Sequence, residues 1–287
     1  MEMLSYICIL KHKTMPNHVT NEVTFLGSTE RIKELREKCK GKDNPFSFQS
    51  FYPMPDELIG TSSPAKIVTE AELQEWKDKV AKGELKEWEK DYRPITKDEQ
   101  NTLKRKYGAD NWYDWHIHSW GTKWDCYSHR GEGDEGFVIF ETAWSTPIRA
   151  LVKLSEMFED ITIEVRYADE DFGSNVGTYS LQGGEIVDIY QPDYSKDSIK
   201  LAMEILGDMS YWIEERLIDD VEDDSELDDF QGWLVEIAHE EGNLIEEYAL
   251  PVLEKLLELA IADEQFERAG AIKQMMKLKL NADNLNQ

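Results

Sequence analysis

The 287 residues include 59 acidic and 32 basic side chains, a formal net charge of −27. Such a surplus of carboxylates argues against direct binding of duplex DNA or RNA, because neutralising phosphates needs clustered Lys and Arg. An apolar content of 40% with nine Trp excludes global disorder, which requires few aromatics as well as high net charge.

Cys8, Cys39 and Cys126 are odd in number and far apart, so neither a disulfide framework nor a zinc knuckle is expected and a reducing cytosol is the natural compartment. Residues 1–10 are apolar but lack a basic start and a cleavage site, and nothing else approaches the ~18 apolar residues of a membrane span. Met15 opens Met-Pro-Asn-His-Val-Thr-Asn, a natural beginning for a soluble domain, and residues 1–14 are expected to be dispensable.

Asn21–Phe25 alternates polar and apolar and ends at Gly27-Ser28, which reads as a strand running into a helix N-cap. Residues 29–40 place Ile32, Leu35 and Cys39 on one helical stripe. Phe46-Ser-Phe-Gln-Ser-Phe51 alternates with period two, a strand halted by Pro53 and Pro55. A charged stretch within about 56–115, with Trp76, Leu85 and Trp88 as sparse anchors, is expected to be a helical insertion outside the sheet's core, and Asn111–Trp120 reads as helix. Lys123–Tyr127 and Phe137–Trp144 form a hairpin, Pro147 opens a helix, Ile161–Tyr167 is a strand, and glycines punctuate two more strands at about 178–182 and 185–190. This order predicts an α+β domain over residues 15–192, with helices on one face of an antiparallel-rich sheet.

Beyond Pro192 the character changes. Residues 193–287 contain 25 acids and eight bases, a net −17, whereas residues 1–192 are −10. Apolar residues there recur at helical spacing, from Ile199 and Met203 through Trp212, Ile213 and Leu217 to Leu234, Ile237, Leu253 and Leu256, which predicts three or four helices in an acidic all-α module. Asp219–Asp229 holds eight acids in eleven residues, a block that repels itself and reads as a loop or solvated helix end.

Several segments resemble a known family. Met15-Pro-Asn-His-Val-Thr-Asn-Glu-Val-Thr-Phe25 with Gly27, Phe51-Tyr-Pro-Met-Pro-Asp-Glu-Leu58, Tyr107–Trp115, Trp120-Gly-Thr-Lys-Trp-Asp125 and Phe140-Glu-Thr-Ala-Trp-Ser-Thr-Pro147 resemble, in order, the YubB ferredoxin-like family of phage and plasmid proteins over roughly residues 15–190. The resemblance implies a split ferredoxin-like sheet and expression in the bacterial cytosol, with no activity to carry over. The insertion around 70–100 and the long tail depart from it. Leu256–Ala260, Phe266–Lys273 and Leu278 look like the UVR helical hairpin of UvrB and UvrC, with Gly270 where the motif usually has Ala and Lys273 where it has Arg. Small Ala260, Ala269 and Ala271 would let two helices approach, and Phe266, Ile272 and Met276 would give a sticky stripe for a partner or a second copy.

His116, His118, Cys126 and His129 lie within fourteen residues, so a zinc or iron site deserves weighing. A spacing of two converges on a strand but diverges on a helix, and no metal or other cofactor is expected. Trp112, Trp115, Trp120 and Trp124, with Lys123 and Asp125 flanking the last, either stack on a ligand or fill the space between sheet and helices. The Gly-x-Ser-x-Gly, P-loop, His-Glu-x-x-His and dinucleotide fingerprints do not appear.

The expectation is therefore a phage- or plasmid-encoded accessory protein, acting in the bacterial cytoplasm, that inhibits or redirects a host nucleic-acid-handling or defence complex. Glu214, Glu215, Asp219, Asp220, Glu222, Asp223, Asp224, Asp228 and Asp229 would form a nucleic-acid-mimicking face for the partner's basic groove. Solubility alone is the competing reading of that face. The alternative function is a small-molecule or nucleotide binder, or an enzyme, built on the Trp-rich 112–144 region.

Overall fold

The computed structural model describes residues 17–86, 92–130, 136–171, 173–207 and 250–262, with 266, 269–270, 272–274 and 276–277. The chain divides into two units, Met1–Glu170 with Thr178–Tyr190, and Asp171–Gly177 with Gln191–Gln287.

The first unit runs β1 (His18–Leu26), α1 (Thr29–Cys39), α2 (Phe48–Phe51), a 3-10 turn (Asp56–Leu58), β2 (Ile67–Val68), α3 (Glu70–Lys82), β3 (Ile95–Thr96) and α4 (Lys97–Tyr107). It continues with α5 (Trp112–Ser119), β4 (Tyr127–Arg130), β5 (Phe137–Ala143), α6 (Ile148–Met157), β6 (Thr162–Asp169), β7 (Gly177–Gln182) and β8 (Glu185–Tyr190). Six strands form one sheet in the order β4-β5-β1-β6-β7-β8. β1 is antiparallel to both of its neighbours, and β4–β5 and β7–β8 are antiparallel pairs. Taken without the insertion, β1-α1-β4-β5-α6-β6 is the split βαβ, ferredoxin-like arrangement, widened on the β6 side by the β7–β8 hairpin.

Register explains the core. Val23 lies opposite Val138 and Val165, Phe25 opposite Ile163, and Asn21 opposite Phe140 and Tyr167. Because side chains alternate across a strand, these residues share one face. Leu35 and Cys39 of α1, Phe48 and Phe51 of α2, and Ala150, Leu151 and Leu154 of α6 pack into the same core. Phe46 stacks on Phe140 at 5.3 Å and on Phe25 at 6.2 Å. Each such fully buried side chain contributes about 1.5–3 kcal/mol.

Two local expectations are corrected. Phe46–Phe51 is not a strand: residues 48–51 form one helical turn, on which Phe48 and Phe51, three apart, are both buried. The insertion, moreover, is not outside the core, since Leu58 and Ile95 are 0% exposed and Leu103 3%. It is helical as read, but β2 and β3 add a small parallel pair. α3 starts from a Thr69–Glu72 capping box and stops at Gly83 with φ +69°. Leu73, rather than half-buried Trp76, is its buried anchor, and Trp88 lies outside the described residues.

In the second unit α7 (Lys196–Leu206) and α8 (Leu250–Ala262) are helical, and from residue 193 onward all described secondary structure is helix. α7 opens with a capping box from Ser195 and Ser198 and buries Ile199, Ala202, Met203 and Ile205. Leu253 and Ala260 are the buried positions described in α8. Trp212, Ile213, Leu217, Leu234, Ile237 and the acidic block at 219–229 lie outside the described residues. Among the described residues no helix is long and apolar enough to cross a membrane.

Candidate functional site

The segment from α5 to β4 gathers the densest set of polar and aromatic groups. Asn111 caps α5 by accepting from the Asp114 N–H at 2.9 Å, while the Thr61 hydroxyl accepts from the Trp112 N–H at 3.0 Å. The helix turns Trp115, His116 and Ser119 inward. Trp120 follows, its indole N–H donating to the Tyr52 carbonyl at 2.9 Å. Gly121, at φ +86°, reverses the chain, and the Thr122 hydroxyl donates to the Ala143 carbonyl at 2.8 Å. These bonds fix Lys123 beside the end of β5.

The Lys123 ammonium sits 4.5 Å from the Trp124 ring centroid and 4.3 Å from that of Trp144, a cation held between two π-faces. Trp124 is 38% and Trp144 42% exposed. Trp144 adopts φ +71°, a strained conformation for a bulky residue, with its N–H donating to the Asn17 carbonyl at 2.9 Å. Tyr113 meets the Trp144 ring edge-on at 6.3 Å.

Asp125 points the other way. Its carboxylate accepts from the Phe48 N–H at 2.7 Å and the Cys126 N–H at 2.9 Å, and takes the Ser47 hydroxyl as a third donor. It thereby supplies the N-terminal cap of α2 that the Ser47 side chain does not make. Of the six residues read as one ligand site, Trp115 and Trp120 are core, packed 5.5 Å apart. Trp112 is half-buried, Lys123 and Trp124 reach the surface, and Asp125 caps a helix.

The metal candidates do not converge either. His116 is buried, stacked on Trp120 at 4.0 Å, with Nδ1 at 2.8 Å from the Lys123 carbonyl. Its Nε2 has no hydrogen-bond partner among the described residues. Burial holds its pKa below the ordinary value, outweighing the Lys123 carbonyl and Asp125. His118 is exposed, on the opposite side of the helix as a spacing of two requires. The Cys126 thiol donates to the Phe46 carbonyl at 3.3 Å, and burial together with Asp125 pushes its pKa well up, away from a thiolate ligand or nucleophile. His129 packs near Phe140. Among the described residues no group of three or more His, Cys, Asp and Glu side chains could hold a metal ion.

Of the residues assigned to partner contact, Glu214, Glu215, Asp219, Asp220, Glu222, Asp223, Asp224, Asp228 and Asp229 all lie outside the described residues. Phe266, Ile272 and Met276 are in helical backbone. Phe266 is 69% exposed, but Ile272 is only 2% exposed and Met276 is half-buried. Ile272 is therefore covered within the chain and offers little to a partner.

Among protein families, the model described as the ferredoxin-like domain in Api92-like protein matches residues 123–228. Those residues are similar to the Api92-like domain. They contain β4, β5, α6, β6, β7, β8 and α7, so the match takes in four of the six elements of the ferredoxin-like arrangement and leaves out β1 and α1. The crystal structure of protein Api92 from Yersinia pseudotuberculosis aligns with 62% of this chain and 98% of its own, at 12% identity and a TM-score of 0.34. No curated protein matches.

Two features escaped the sequence reading. The capping role of Asp125 depends on a partner 77 positions away, which no local signal reveals. The exposed apolar residues of β8 carried a signal, since Ile186-Val187 and Ile189-Tyr190 break the polar alternation of a half-buried strand.

Proposed function

We propose that this protein binds another macromolecule through the acidic segment of its C-terminal part, as an accessory protein encoded by a phage or plasmid that inhibits or redirects a nucleic-acid-handling or defence complex of its bacterial host. The observation that carries the reading is charge segregation: residues 193–287 hold a net −17 against −10 for the preceding 192. A dense field of carboxylates draws in a basic groove and competes there with phosphates. The likeness of residues 15–190 to the YubB family and of the C-terminus to a UVR hairpin supports it, the hairpin offering Phe266 as an exposed contact for a partner or second copy. The inward commitments of Trp115, Trp120, Asp125 and Cys126 favour it over chemistry in the Trp-rich segment. A pull-down from bacterial lysate tests it: with Glu214, Glu215, Asp219, Asp220, Glu222, Asp223, Asp224, Asp228 and Asp229 changed to Gln or Asn, the partner is lost, and retention of the same partner refutes the electrostatic contact.

A second reading has one observation in its favour. Lys123, clamped by two half-exposed indoles, has no ion-pair partner among the described residues, so it could hold an anion while an indole stacks on a ring. Nucleotides would then raise the melting temperature of the protein and not of the Lys123→Met variant.

A further inference from the structure

The two edges of the sheet, β4 and β8, are built differently. β4 is four residues long and polar, with a register shift and Ser128 at φ +50°. Short, kinked and charged edges are the usual protection against unplanned pairing. β8 is exposed at all six positions, with Ile186, Val187, Ile189 and Tyr190 between 46% and 57% exposed. Along its outer side, alternate N–H and C=O groups meet no further strand among the described residues.

Ser180 opposes Asp188, whereas Leu181 opposes Ile186, so Val187 is the extra residue of a bulge. The shift puts Ile186 and Ile189 opposite buried Leu181 and Tyr179, on the face that carries the helices. Glu185 and Asp188 oppose Gln182 and Ser180 on the other face. Beside Ile186 a groove of about 480 Å³ lies against α6, lined by Tyr52, Ile148 and Val152 with Arg149 and Lys153. Lys153 is paired with Glu156, and Arg149 donates to the His118 carbonyl.

We propose that β8 and this groove form a docking edge for an extended segment of a partner protein whose side chains alternate apolar and basic. An added strand hydrogen-bonds to the outer backbone of β8. Every second side chain then lies on the helix face, over Ile186, Ile189 and the groove, where apolar groups fit. The others fall beside Glu185 and Asp188, neither of which has an ion-pair partner among the described residues, and there Lys or Arg fit. Charge decides against a second copy, because self-pairing would bring these acids together in chains of −27 each. The edge shares no residue with the acidic 214–229 segment, so either contact can fail without the other.

The probe is a capped ten-residue peptide alternating Val and Lys, titrated against the full chain by fluorescence anisotropy at about 150 mM salt, where exposed charges are screened beyond ~8 Å. Controls are a Val–Glu peptide and the Val–Lys peptide N-methylated at alternate amides. The expected result is saturable binding, weakened at least tenfold by N-methylation and by Glu185→Lys with Asp188→Lys, and absent for Val–Glu, with hydrogen-exchange protection centred on residues 185–190. Absence of binding, equal binding of the controls, or protection elsewhere would overturn the proposal. So would a dimer in light scattering that Ile186→Lys dissolves, which would give the edge to a second copy.

Discussion

The Asp125 carboxylate holds the first turn of α2 from 77 positions away, and its other donors are the Ser47 hydroxyl and the Cys126 N–H. Removing it strands three donors, so Asp125→Ala is expected to lower stability by about 2–3 kcal/mol, read by urea denaturation; an unchanged midpoint would contradict this capping role. His116 gives a pH signature. Burial lowers its pKa from the ordinary 6.5, so the unfolded chain takes a proton there at a pH where the folded chain does not. Stability therefore falls as pH drops below 6.5 until the folded imidazole also protonates. The acid loss of stability should be shallower in His116→Phe than in the parent, and identical slopes would contradict the buried neutral imidazole. In the sequence, the helical spacing already set His116 and His118 apart, but nothing local showed that Asp125 faces inward while Lys123 faces the two indoles.

Elements whose pattern and punctuation agreed were legible: β1 with its Ser28 cap, the β5-α6-β6 run, and the β7–β8 hairpin turning at Gly183-Gly184. Phe46–Phe51 misled because its apolar positions satisfy a two-residue period and a three-residue step at once, and the choice is made by a distant cap. The insertion misled because its charge is on exposed faces while Leu58, Ile95 and Leu103 reach the core. The hairpin turn is testable. Gly183 and Gly184 have φ +57° and +84°, and a Cβ on Gly184 would lie 2.5 Å from Glu156 Cγ, whereas none is crowded at Gly183. Gly184→Ala should cost about 1 kcal/mol or more and Gly183→Asn almost nothing; equal effects would contradict this turn. Leu154→Ala, at a site with 0% exposure, should cost about 2–5 kcal/mol, against less than about 1 kcal/mol for half-exposed Ile189→Ala. Matching losses would place β8 in the core and remove the docking edge.

At the scale of the whole molecule, the ferredoxin-like arrangement provides the framework, and charge sets the expected partner. The fold class was readable from element order, whereas the exposed β8 edge was not, because strand order in the sheet decides which strand is last. The proposed function rests on an uneven distribution of charge that the sequence shows directly: −17 within residues 193–287. If that segment imitates a nucleic acid, a partner captured through it must be unable to hold duplex DNA at the same time. The decisive measurement is competition between DNA and this protein for the captured partner over a range of salt. Mutual displacement is predicted, with an affinity that falls steeply as salt rises and a flatter slope once nine of the ten acids at 214–229, all but Glu226, are neutralised. A stable ternary complex, or an affinity indifferent to both salt and those nine substitutions, would contradict it.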